Sequence, residues 1–242
     1  EGFRKAFKIT NGNQTSGAGA SDYISFRQGI EAQNLANSGW NYNSSSSSVT
    51  LSFWIKSSVA QSFKFLLKTE DGSNYIYHMD TGSLSADTWT KVTKTIIGNS
   101  NLTINNDNGV GVQIYFTAFS GTTYTDNSAT ENAWQVYSSG ILFGKDNTST
   151  WYTTNDATLE ITGVQLEVGS VATDFLHLSY GDTLAKCQRY YEKTYAQDVA
   201  VNGVGYNYSG SYTSRDGTAS SVVRYYPFNF KTKKRTTPII TV

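Results

Sequence analysis

From residue 7 to residue 168 the chain repeats one device: short runs in which apolar and polar side chains alternate with a period of two. Val49-Thr-Leu-Ser-Phe-Trp-Ile-Lys56 shows it plainly, with Val49, Leu51, Phe53 and Ile55 on one face and Thr50, Ser52, Trp54 and Lys56 on the other. The same period runs through Asp22–Ala32, Thr88–Ile97 and Val110–Phe119, with a shorter strand at Phe7–Thr10. Ser62–Thr69 and Asn74–Met79 flank Glu70-Asp71-Gly72-Ser73 and form an expected hairpin. The runs recur without helical segments between them, which predicts an all-β chain, an antiparallel β-sandwich of the jelly-roll kind, rather than a βαβ fold.

Ala157–Val168 breaks the alternation once. Leu159 and Ile161 are apolar on one parity, Val164, Leu166 and Val168 on the other, with Gly163 between them. A one-residue phase change at a glycine predicts a β-bulge. Two connections are long: Asn34–Ser48, and Ser120–Asp156, which carries Trp134, Tyr137, Phe143 and Trp151 and is expected to hold further strands. The helical signal is Asp182–Tyr191, with Leu184, Cys187, Gln188 and Tyr191 on one face and Asp182 as the N-cap. The expected organisation is a sandwich over 1–181, a short helical connector over 182–192, and a smaller, incomplete β element over 193–242, whose roughly fifty residues are too few to bury a core alone. Glu1 opens the chain inside a strand-like pattern, so a fragment of a longer protein is expected.

Charge and residue counts remove several function classes. Lys and Arg number 19 and Asp and Glu 19, so no basic face for nucleic acid is expected. The short run Lys231, Lys233, Lys234, Arg235 reads as a solvated strand or turn. One cysteine and two histidines exclude a disulfide framework and a Cys- or His-rich metal site. No apolar run approaches the roughly 18 residues of a membrane span. Asp71, Asp80, Asp126 and Asp156 sit in or beside turns where a structural calcium is conceivable, but their spacing matches no dedicated loop, and no cofactor is expected.

Catalytic constellations are equally sparse. A glycosidase needs two carboxylates about 5 to 9.5 Å apart. Glu160 and Glu167 lie about 20 Å apart along a strand at ~3.3 Å per residue, so they are no local pair. His78 and His177 lack nucleophile partners in sequence, and Cys187 reads as a small buried hydrophobe. The chain is therefore read as a non-enzyme.

Sugars stack their C–H faces on aromatic rings, which singles out Trp40, Tyr75, Tyr77, Trp134 and Trp151 as glycan-binding candidates. Trp54 and Trp89, inside strong strands, are expected in the core. Tyr190, Tyr191, Tyr195, Tyr206 and Tyr208 are candidates for contacts between subunits.

The stretch Ile161-Thr-Gly-Val-Gln-Leu-Glu-Val-Gly169, then Ala172-Thr-Asp-Phe175, then Leu184-Ala-Lys-Cys-Gln-Arg-Tyr-Tyr-Glu192, resembles the carbohydrate-binding-module-like jelly rolls of bacteriophage tail fibres and related virion proteins. Leu51-Ser-Phe-Trp-Ile-Lys56 and Trp89-Thr-Lys-Val92 look like inner strands of the same family, and the resemblance covers roughly residues 1–195. The family's opening strand, with Asn-Gly-x-Phe and Trp-Gln-Arg-Gly sequences, has no counterpart here. The resemblance implies a virion location, a homotrimeric fibre alongside other virion proteins, and host attachment, with a host-surface glycan as partner. A free-standing or enzyme-appended carbohydrate-binding module is the alternative.

Overall fold

The alternating runs fold into two antiparallel sheets in the computed structural model, which describes residues 2–13, 17–148, 150–193 and 229–239. In chain order the strands are β1 (Phe7–Thr10), β2 (Tyr23–Glu31), β3 (Ser48–Ser57), β4 (Lys64–Thr69), β5 (Tyr75–Asp80), β6 (Thr90–Ile97), β7 (Val110–Ser120), β8 (Trp134–Val136) and β9 (Thr158–Val168). One sheet has the order β1-β9-β3-β6, the other β2-β7-β4-β5-β8. The fold is an all-β sandwich, as the two-residue period requires. The hairpin around Glu70–Ser73 forms as β4 and β5.

The core lies between the sheets and takes one parity from each strand. Phe53 of β3 is fully buried and meets Phe65 of β4 and Phe116 of β7 edge-on, at 5.0 and 4.9 Å between ring centroids. Perpendicular packing sets the positive ring edge against the negative face. Val92 and Ile96 of β6 and Leu159 and Ile161 of β9 complete that side.

The bulge at Gly163 is present. Ser52 pairs with Gln165 and Trp54 with Thr162, so two steps on β3 answer three on β9. The extra residue lets Leu159 and Ile161 before it, and Leu166 after it, face the same core. Gly163 has φ +61°, and a Cβ there would lie 2.4 Å from the ring of Phe3, so glycine is required both by the backbone and by the neighbour.

The long connections are more structured than loops. Asn34–Ser48 begins in helix α1 (Ala32–Ala36) and carries Trp40 into the core. Ser120–Asp156 holds one three-residue strand, β8, two short 3-10 turns and helix α2 (Thr150–Thr153).

By contacts the chain divides into Glu1–Phe175 and Leu176–Val242. The second unit begins with helix α3 (Tyr180–Gln188). Its N-cap is Ser179, not Asp182: the Ser179 hydroxyl oxygen accepts from the Asp182 amide at 3.1 Å and donates to the Asp182 carboxylate at 2.6 Å. Asp182, the acidic residue of the first turn, thus meets the cap hydroxyl with both its amide and its carboxylate. Cys187 is exposed rather than buried, and Gln188 is the buried residue of the helix. Lys234 is not simply solvated: it bonds the Gln188 carbonyl and Glu192. The expected C-terminal β element falls mostly outside the described residues, as do Tyr195, Tyr206 and Tyr208.

Candidate functional site

The outward parity of the five-stranded sheet carries the site. Arg27 of β2 pairs in register with Tyr115 of β7, Tyr115 with Leu66 of β4, and Leu66 with His78 of β5. The next row runs Gln113, Lys68, Ile76 and Gln135. The connection after β7 folds back over part of this face, and Phe143 joins Leu66, Ile76 and Tyr115 in a second apolar cluster. Beside that cover the face is open, as a groove of about 670 Å³.

The groove is floored by a fixed polar chain. Arg27 Nη1 donates to the Tyr115 hydroxyl at 2.8 Å, which donates to Gln113 Oε1 at 2.7 Å. That first bond is the main reason the Arg27 guanidinium is held even more firmly charged than an ordinary arginine. Lys68 Nζ bonds Glu70 at 2.7 Å and sits 4.6 Å above the ring of Tyr137 at the lip. Asp71 accepts from the backbone and side-chain nitrogens of Asn105, both at 2.9 Å. The two neighbouring carboxylates thus each act as acceptors for a fixed donor. The array suits binding of a hydroxyl-rich ligand, because donors and acceptors are held in place before the ligand arrives.

Sequence reasoning placed none of these residues in a glycan site; it weighed Asp71 only as a turn carboxylate for calcium. The signal was available: Arg27, Gln113 and Lys68 hold the outward parity of strong strands, but only the register shows that they meet. Of the aromatic candidates, Trp40, Tyr77 and Trp151 are buried, at 3, 4 and 0% exposure, and cannot offer a ring to a sugar. Trp40 packs beside Tyr42 under the turn after α1, and Trp151 is carried into the core by α2, its amide donating to Gln61 at 2.7 Å. Tyr75 and Trp134 are partly buried against the core, with the Trp134 indole donating to the Ile97 carbonyl at 2.7 Å. The five do not form one surface. Trp54 and Trp89 correct the opposite expectation: they stand on the outer face of the four-stranded sheet, Trp89 with 38% of its surface exposed.

The remaining candidates take structural positions. Glu167 closes the motif at the end of β9: it accepts from the amide and hydroxyl of Thr173, and Gln165 donates to the Asp174 carbonyl at 3.3 Å. Partial burial raises the Glu167 pKa, but these hydrogen bonds outweigh it and hold the carboxyl below its usual range. The Gln-Leu-Glu sequence and the Ala-Thr-Asp-Phe turn are therefore two halves of one clasp. His78 is buried in β5 and His177 is exposed. Asp80 and Asp126 accept from the amides of Gly82 and Ser128 in their own turns, and Asp156 takes positive φ. Among the described residues no three His, Cys, Asp or Glu side chains cluster as metal ligands, and no described helix is long and apolar enough to cross a membrane.

No family model matches the chain. No curated protein matches it. Among solved structures, one described as "CBM4 structure and function" is similar, at 14% identity over 68% of this chain and 84% of that one, with a TM-score of 0.33.

Proposed function

We propose that this chain is a non-catalytic carbohydrate-recognition module of a host-facing virion appendage, reading a surface glycan through the groove on its five-stranded sheet. The groove carries the reading: the chain Arg27–Tyr115–Gln113 and the pair Lys68–Glu70 present alternating donors and acceptors beside the Tyr137 ring. Sugar hydroxyls pair with such groups, and a tyrosine ring covers the apolar face of a pyranose. The proposal invokes no cofactor. A glycan array probed with the full chain tests it. Binding that is lost in Arg27→Ala supports the groove, and binding indifferent to that change counts against it.

The appendage setting comes from the Gln-Leu-Glu and Cys-Gln-Arg-Tyr-Tyr resemblance, and the second unit supports assembly into a homotrimer. Leu176, Leu178, Tyr180, Tyr190 and Tyr191 are all exposed there. Large exposed apolar side chains within one short stretch of chain gain by burial against another chain. Light scattering on the full chain should give three times the monomer mass. A monomer would instead favour a free-standing or enzyme-appended binding module.

A further inference from the structure

We propose a second ligand site, on the opposite sheet, that takes an acidic pyranose such as a uronic acid. It extends the carbohydrate reading to another face and shares no residue with the groove.

Two tryptophans define it. Trp54 holds the outward parity of β3, paired with Thr162 of β9 and Lys91 of β6. One row on, Lys56 pairs with Glu160. Lys56 Nζ bridges to Glu160 at 3.0 Å and lies 5.2 Å over the Trp89 ring. The indoles border a cleft of about 360 Å³, room for one or two sugar rings. Its other wall is the segment Gly2–Ala6. That wall is pinned: Thr162 Oγ1 donates to the Lys5 carbonyl at 2.8 Å, and Phe3 lies over Gly163 with its ring edge on Phe175 at 5.0 Å. The bulge at Gly163 thus has a second consequence, since it makes the space that seats the wall.

The charge decides the ligand. Lys56 and Glu160 neutralise each other, and the exposed Arg4 and Lys5 on the wall leave the cleft with an excess of positive charge. Indole faces stack on the C–H surface of a pyranose, and a guanidinium donates two parallel hydrogen bonds to a carboxylate. A neutral sugar would use the indoles and leave the cations idle.

Tryptophan-fluorescence titration of the full chain with trigalacturonate, against galactotriose as the neutral probe, tests this. Trigalacturonate should bind, weaken with added salt, and lose roughly tenfold in affinity in Trp89→Ala and again in Arg4→Ser/Lys5→Ser. Galactotriose should bind the cleft at least tenfold more weakly. The double variant involves only exposed side chains, so it preserves the test if Trp89→Ala does not fold. The groove variant Arg27→Ala should leave trigalacturonate binding unchanged, which separates failure of this site from failure of the groove. The proposal is overturned if trigalacturonate does not bind, if binding survives both cleft variants, or if the two probes bind alike. It is equally overturned if Trp89→Ala reduces the mass of an oligomer, since a second copy would then occupy the face.

Discussion

Gln135 donates a side-chain hydrogen bond to Nδ1 of His78 at 3.1 Å, which fixes the histidine as its neutral Nε2–H tautomer. The amide cannot be turned the other way, because Gln135 Oε1 accepts from the Thr130 amide at 2.9 Å. Nε2 then donates to the Leu142 carbonyl at 3.3 Å. One imidazole thereby ties β8 and the covering connection to the outer face of β5, beside the groove. Burial pushes its pKa below the ordinary 6.5, and hydrogen bonds to backbone carbonyls oppose this by less.

Protonation of His78 must therefore cost stability. A base with a lowered pKa in the folded state stabilises fully above about pH 6.5 and loses that contribution as pH falls toward the folded value. Glu167 and Glu192, both lowered from 4.5, lose theirs at more acid pH. The melting temperature should fall between pH 7 and pH 5, and His78→Gln should flatten that slope. A wild-type slope unchanged in the variant would contradict the assignment.

Gly163 is held by two constraints that add. Gly163→Ala forces a side chain into positive φ and into the Phe3 ring. The backbone strain alone costs about 1–3 kcal/mol. Phe3→Ala in the same chain should recover only the steric part, so thermal unfolding of the double variant should fall between Gly163→Ala and wild type.

Trp151 separates core from recognition. Trp151→Ala should destabilise the sandwich by about 3–5 kcal/mol, on the order of 10 °C in a chain of this size. Trp151→Phe should keep enough packing to fold and should leave glycan binding unchanged. Loss of binding in a well-folded Trp151→Phe would return this residue to the site.

Tyr115 joins the two ends of the polar chain through one oxygen. Tyr115→Phe keeps the ring in the apolar cluster but leaves Arg27 and Gln113 without their shared partner. Stability should drop by about 1 kcal/mol. Glycan affinity should drop by roughly tenfold, as calorimetric titration would show.

Much of the sandwich was legible because a two-residue period forces one face of a strand inward. β3, β6, β7 and β9 follow directly, and so does the bulge, since a parity change at Gly163 has no other economical cause. Trp54 and Trp89 were misassigned although their parity was visible: they alternate with Phe53, Ile55 and Val92 and so had to face outward. Trp40 and Trp151 carry no period that reveals their burial, since one follows the turn after a five-residue helix and the other sits in a four-residue helix. The groove was illegible because its residues come from β2, β4 and β7, and strand order is set by packing across the whole sheet.

The most direct measurement is a calorimetric titration of the full chain with the strongest ligand from a glycan array, repeated on Arg27→Ala and Tyr137→Ala. The groove reading expects saturable binding in the wild type and at least a roughly tenfold loss in each variant, with melting temperatures lowered by only about a few degrees. Absence of any glycan ligand, or full affinity in both variants, would contradict it.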